Sequence, residues 1–256
     1  MRKLALAVSV FGREASALGI VLGRATRAGF GMRFSDFVEQ LGRVALSALP
    51  LVAIAALFAG MVIALMAVAL QTSLQIDSAH LVADIVSVTL VRELAPIFTA
   101  LLMAGKAGAG LASELGMVTL SGQAQAMRAL SLDINRELIA PRVWGCIWGT
   151  FLLTIAAIFF GLIGGMILGS AKLGLSPVHY VNRVVGALGP VDFACGLVKG
   201  VAFGTVIAAF GVRFGLAEKA DAAALGRHTM TAVVASSFTV LVANHILTTI
   251  ISALFA

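Results

Sequence analysis

The stretch LVRELAPIFTALLMAGKAGAGLASELG, residues 90–116, decides how this chain is read. It sets a charged pair, Arg92-Glu93, inside an apolar run that continues past Pro96 to Gly105. Around it, 60% of the 256 residues are hydrophobic and 12% are charged, and mean hydropathy is +1.05. A soluble domain carries about twice that charged fraction. The chain therefore reads as an all-α integral membrane protein. Ionisable groups in a bilayer are costly and face protein or a polar cavity, so Arg92-Glu93 marks the first place to look for function.

A crossing helix needs roughly 20 mainly apolar residues. Working outward from residues 90–116, that length predicts five transmembrane helices: Val44 to Leu70, Leu81 to Gly105, Val143 to Ala171, Phe193 to Val212 and Thr229 to Phe255. Pro50 lies early in the first and predicts a kink there. Residues 1–43 form an N-terminal cytoplasmic or interfacial segment, and residues 44–256 form the five-span domain. In the N-terminal segment Leu4, Val8, Phe11, Ala15, Leu18 and Leu22 share one helical face, opposite Arg2, Ser9, Arg13, Ser16, Arg24 and Arg27. This is a basic amphipathic helix lying on the membrane rather than a cleaved signal, because Arg13-Glu14 interrupt the apolar run.

The charge of +6 follows the same logic. Arg and Lys gather before span one, between spans two and three, and between spans four and five, whereas the opposite side holds only Lys172 and Arg183. The positive-inside rule then sets the N-terminus in the cytoplasm and the C-terminus outside. Nothing in this pattern calls for nucleic acid. Cys146 and Cys195 lie in apolar segments without metal-ligand spacing, and read as buried small side chains.

Two further devices stand out. Gly161, Gly165 and Gly169 are spaced four apart, as are Gly196, Gly200 and Gly204, and such spacing lets another backbone come close to one helix face. In the connection after span two, Met117, Leu120, Ala124 and Met127 repeat at helical spacing, so a cytoplasmic amphipathic coupling helix is expected there. No enzyme constellation appears. The chain lacks G-x-x-x-x-G-K-[ST], so it holds no P-loop for ATP. His80, His179, His228 and His245 are isolated, although Asn244-His245 lies inside span five. Arg92 and Glu93 are neighbours about 100° apart on a helix, so they cannot both face one partner. Local charge balance, with Asp84 or Lys199, and a polar lining for a substrate route weigh about equally. Pro96 has no N–H and frees the Arg92 carbonyl. Asp192 and Lys199 read as residues reaching for the interface.

Residues 90–142 resemble the MlaE (YrbE-type) permeases of ABC transporters that move lipids between bacterial membranes. The shared pattern is Arg92-Glu93-Leu94-x-Pro96, then Ala104-Gly105-Lys106-x-Gly108, then Ala112-x-Glu114-Leu115-Gly116, then Gln123, Asp133 and Pro141-Arg142. The resemblance implies a permease subunit in the bacterial inner membrane that moves phospholipid or a related hydrophobic substrate toward a periplasmic carrier or the outer membrane, whose asymmetry such transport supports. It implies a homodimer with a second permease copy, a cytoplasmic ABC ATPase that alone binds ATP and Mg, a periplasmic MCE-domain protein, and a small cytoplasmic STAS-type subunit. It puts the substrate path at Arg92, Glu93, Leu94 and Pro96, and ATPase coupling at Glu114, Leu115, Gly116, Leu120, Gln123 and Met127. The chain departs from the family at Lys106, where Arg is usual, at Ser121-Gly122, where Thr-Glu is usual, and at Ile134, where Pro follows the Asp. Within a coupling helix Gly122 would cost up to about 1 kcal/mol against Ala. The runner-up is an ion- or proton-coupled transporter acting alone, with Asp84, Arg92, Glu93 and Lys199 as its relay; a third reading is a membrane scaffold.

Overall fold

The computed structural model describes residues 19, 23, 31–73, 80–174, 176–217 and 221–255. The expected N-terminal amphipathic helix lies almost wholly outside these residues. The helices are α1 Phe34–Ser73, α2 His80–Thr89, α3 Ala95–Met103, α4 Ala109–Leu120, α5 Gln123–Ala129, α6 Ala140–Leu173, α7 Pro177–Ala187, α8 Pro190–Gly215 and α9 Ala222–Phe255. Three π-turns interrupt them, at Leu90–Leu94, Ala104–Gly108 and Asn135–Ile139. The described residues contain no strand. Five helical stretches are long and apolar enough to cross a membrane: Phe34–Ser73, Ala83–Leu120, Asn135–Lys172, Pro190–Gly215 and Ala222–Ala253.

Each stretch overlaps an expected span and overruns it. The first starts at Phe34 rather than Val44 and passes through Pro50 unbroken; the second runs on to Leu120 rather than ending near Gly105. Hydropathy marks only the apolar part of a helix, whereas the hydrogen-bond ladder continues until a residue stops it. For α4 that residue is Gly122, whose φ is +75°. The Gly122 N–H bonds the Thr119 carbonyl, and its own carbonyl accepts the N–H groups of Gln125 and Ala126. The expected single coupling helix is thus two helices joined at a left-handed glycine. Gly122 sits outside both, so the helix-propensity cost expected for it does not apply.

The chain's contacts gather into two compact units. One comprises Met1–Val44, Met103–Gly149 and Gly204–Val240; the other comprises Ala45–Leu102, Thr150–Phe203 and Leu241–Ala256. In the first, α4 lies against α8, where a Cβ on Gly211 would press on Leu111 and one on Gly215 on Leu115 and Ala112. A Cβ on Gly145 of α6 would meet the backbone at Gln40 and Leu41 of α1. Lipid provides no hydrophobic drive between helices, so close approach at small residues does the work.

The second unit follows the same rule more strictly. Val52, Ala56, Gly60, Ala64 and Ala67 form the buried stripe of α1. A Cβ on Gly60 would collide with the Gly161 carbonyl, and one on Gly164 with the Leu57 carbonyl, so α1 and α6 pack backbone to backbone. Gly161 makes room for Leu90, Gly165 for Val86 and the Tyr180 hydroxyl, Gly196 for the Val91 carbonyl, and Gly200 for Thr154. Gly169 is buried as well, as is Gly204 in the first unit. Gly60 and Gly164 were not among the expected glycines. The signal for Gly60 was the four-residue spacing of small residues Ala56, Gly60 and Ala64.

Candidate substrate site

The site begins with a proline. Pro96 cannot donate to the Arg92 carbonyl four residues earlier, and the helix answers with a π-turn over Leu90–Leu94, closed by the Ala95 N–H bonding the Leu90 carbonyl. Such turns widen the helix and free a carbonyl. Lys199 of α8 fills the gap, its Nζ donating to the Arg92 oxygen at 2.8 Å. The sequence-level expectation that Pro96 exposes this carbonyl is met, and the structure adds the group that takes it.

Lys199 is 1% exposed, and its three N–H groups have three acceptors. Besides the Arg92 carbonyl these are Glu93 Oε1 at 2.8 Å and Thr248 Oγ1 at 2.8 Å. The Thr248 hydroxyl lies 3.0 and 3.2 Å from the two Glu93 oxygens, and Asn244 Nδ2 donates to Glu93 Oε2 at 3.1 Å. Asn244 and Thr248 are one turn apart on α9, so both meet the same carboxylate. Because a carboxylate only accepts, the Asn244 amide nitrogen must face it. The network joins the π-turn, α8 and α9 within the second unit. The reading of Lys199 as a residue reaching for the interface is therefore corrected: a fully bonded ammonium is stable where a lone one would not be.

Asp192, in the first turn of α8, is bonded as well. Its Oδ2 accepts the Gly189 N–H at 2.8 Å, and its Oδ1 lies 3.4 Å from Arg92 Nε. Arg92 and Glu93 accordingly diverge to different partners, as their helical offset requires. Asp84 belongs to neither: it pairs with Arg183 of α7 at 2.6 Å. Leu94 is half-buried and Pro96 is buried. A cavity of about 10 Å³ lined by Arg92, Glu93, Cys195, Lys199, Thr248 and Ile251 lies at the centre of the network. That is room for one water-sized group. His245, neighbour to Asn244, points outward and is exposed.

The expected coupling residues separate. Glu114 is 45% exposed and pairs with Arg142 at 2.9 Å; Arg142 also donates to the Leu138 carbonyl. Gln123 is exposed, while Leu120 and Met127 are half-buried. Leu115 and Gly116 are buried in the first unit. A cleft of about 360 Å³ in the same unit is lined by Thr119, Ala124, Leu132, Asp133, Ile134, Asn135, Ile139 and Leu216. Sequence spacing gave no sign of it.

A multi-pass helical membrane protein with a hydrogen-bonded polar centre, built on the π-turn of its second apolar stretch with partners from the fourth and fifth, is the class these observations define. The chain belongs to the MlaE permease family: the family model described as Permease MlaE matches residues 37–250. A probable ABC transporter permease protein of Rickettsia bellii is 32% identical over 215 residues, covering 84% of this chain and 82% of that protein. One from Synechocystis is 31% identical over 211 residues, covering 82% and 79%. The intermembrane phospholipid transport system permease protein MlaE of Haemophilus influenzae is 26% identical over 253 residues, covering 95% and 96%. The chain is an ABC-transporter permease, which sets aside the solitary ion-coupled transporter and the scaffold.

Proposed function

We propose that this permease moves phospholipid, or a hydrophobic substrate of similar build, between the inner membrane and a periplasmic carrier, driven by a separate cytoplasmic ATPase that binds ATP and Mg. The observation that carries this reading is the Arg92-Glu93 turn. Glu93 is occupied by Lys199, Thr248 and Asn244, whereas among the described residues the Arg92 side chain is held only through Nε at 3.4 Å. An arginine fork suits a lipid phosphate, which it binds bidentately. The central cavity is too small for acyl chains, so a lipid would approach Arg92 from its open side. The Haemophilus relative's phospholipid system supports the substrate class.

In this reading the N-terminus faces the cytoplasm. The first unit's exposed Glu114 and Gln123 meet the ATPase, and a second permease copy covers apolar residues such as Phe58 of α1 and Phe238 of α9, which are 61% and 62% exposed. An MCE-domain protein and a STAS-type subunit complete the assembly. The test is reconstitution of the permease with its copurifying ATPase in proteoliposomes holding a fluorescent phospholipid. ATP-dependent transfer to an acceptor, abolished by vanadate, is expected. ATPase activity indifferent to lipid, with no transfer, refutes the reading.

A further inference from the structure

We propose that α7 is a hinged lid on α2, and that its closure is linked to Arg92 through Asp192. The role given to the lid rests on the transport reading above; its existence does not.

The helix is bounded by joints on both sides. Before it stand Gly174, with φ +65°, and Ser176, whose hydroxyl caps the first turn by accepting the His179 N–H. After it, Leu188 is extended, at φ −91° and ψ 118°, and Gly189 is held by the Asp192 carboxylate. A short capped helix between two such joints moves as a body, because the joints absorb the dihedral change.

The underside closes on one apolar cluster, with Tyr180 and Val184 buried in it. Tyr180 and Val184 rest on Ala83, with Leu162, Met166 and Leu188 around them. The Arg183–Asp84 pair closes the edge and is partly open to solvent, with side chains 42% and 28% exposed. Three polar atoms in this interface are buried without a hydrogen-bond partner among the described residues: Tyr180 Oη, Asp84 Oδ1 and Arg183 Nε. Burial of the Tyr180 hydroxyl also raises its pKa. Unpaired buried donors and acceptors disfavour the closed state, and lifting α7 hydrates all three at once. Closure thus sets one apolar cluster and one ion pair against three polar atoms that have no partner among the described residues, which is the condition for a two-state element.

The second clasp ties this balance to the site. Acid on α2 meets base on α7 at Asp84–Arg183, and base on the following turn meets acid at the head of α8 at Arg92–Asp192. Asp192 holds the Gly189 joint with one oxygen and Arg92 with the other. An anionic headgroup that takes Arg92 competes with Asp192 and loosens the joint beneath α7.

Cysteine accessibility in native membranes tests this. Ala83→Cys lies under the lid, and Val185→Cys, on its 70% exposed outer face, is the folding and access control. The native Cys146 and Cys195 are buried and supply the background. With a membrane-impermeant maleimide, Ala83→Cys should react slowly, and roughly tenfold faster when Arg183→Asp is added, as a shift in a two-state equilibrium requires. The swap Asp84→Arg with Arg183→Asp should restore slow labelling while Val185→Cys stays reactive throughout. Equal labelling of Ala83→Cys in all three backgrounds overturns the lid, whatever lipid transfer shows. Labelling as expected, beside an assembly that transfers no lipid, upholds the lid and removes the transport reading instead.

Discussion

Replacing Lys199 by Met tests whether the polar centre is held as described. The substitution keeps most of the side-chain volume and removes three donated bonds, to the Arg92 carbonyl, Glu93 and Thr248. Three intramembrane hydrogen bonds of average strength amount to about 2 kcal/mol. Leaving a buried carboxylate without its cation costs about 3–5 kcal/mol where burial is complete. Glu93 is 32% exposed and keeps Asn244 and Thr248, so the lower part of that range applies. We expect Lys199→Met to cost about 3 kcal/mol, by comparison with measured losses for broken buried pairs.

The informative variant is the double one. Apolar replacement of both members of a buried pair is often close to neutral. Lys199→Met with Glu93→Leu should therefore be more stable than Lys199→Met alone, with a coupling of at least about 2 kcal/mol in a double-mutant cycle. Reversible unfolding in mixed micelles, followed by tryptophan fluorescence from Trp144 and Trp148, measures it. Additive losses would refute the network, because they would mean that the two side chains do not depend on each other.

Other outcomes follow from the same structure. Gly60→Ala and Gly164→Ala set a Cβ against a facing carbonyl, and should each cost about 1–3 kcal/mol of overpacking. Gly110→Ala meets nothing within 4 Å in α4, and should be neutral or stabilising by up to about 1 kcal/mol in the same unfolding assay. Gly122→Ala forces an L-residue to φ +75°, and should cost about 1–2 kcal/mol where a helical site would have gained. Tyr180→Phe removes a buried hydroxyl with no partner, so it should not destabilise and is expected to gain up to about 1 kcal/mol. Glu114→Gln breaks a half-exposed ion pair worth at most about 1 kcal/mol, yet should lower lipid-stimulated ATPase activity well beyond that change in stability.

The membrane class and five apolar stretches were legible because length and hydropathy are local properties of the chain. Arg92-Glu93 and the carbonyl freed by Pro96 were legible for the same reason. Their partners were not. Lys199 and Thr248 lie more than a hundred residues from Glu93, and an isolated lysine near a helix end reads as interfacial until the fold carries it inward. The partners of Asp192 were hidden likewise, since only the three-dimensional arrangement sets it against Arg92 and the Gly189 N–H. The break at Gly122 was hidden for another reason: periodic apolar residues continue across it, and periodicity does not report the sign of φ. Leu115 and Gly116 belonged to a shared word in the sequence, which does not report that both are buried in the fold.

Photocrosslinking from the turn itself tests the central claim most directly. With a benzophenone side chain at Leu94, beside Arg92-Glu93, the assembled permease in growing cells should capture phospholipid, identified by mass spectrometry, and the yield should change when the partner ATPase is inactivated. An assembly that forms and hydrolyses ATP but captures no lipid at Leu94, while lipid adducts form elsewhere on the chain, would contradict the assignment of the substrate path to this turn.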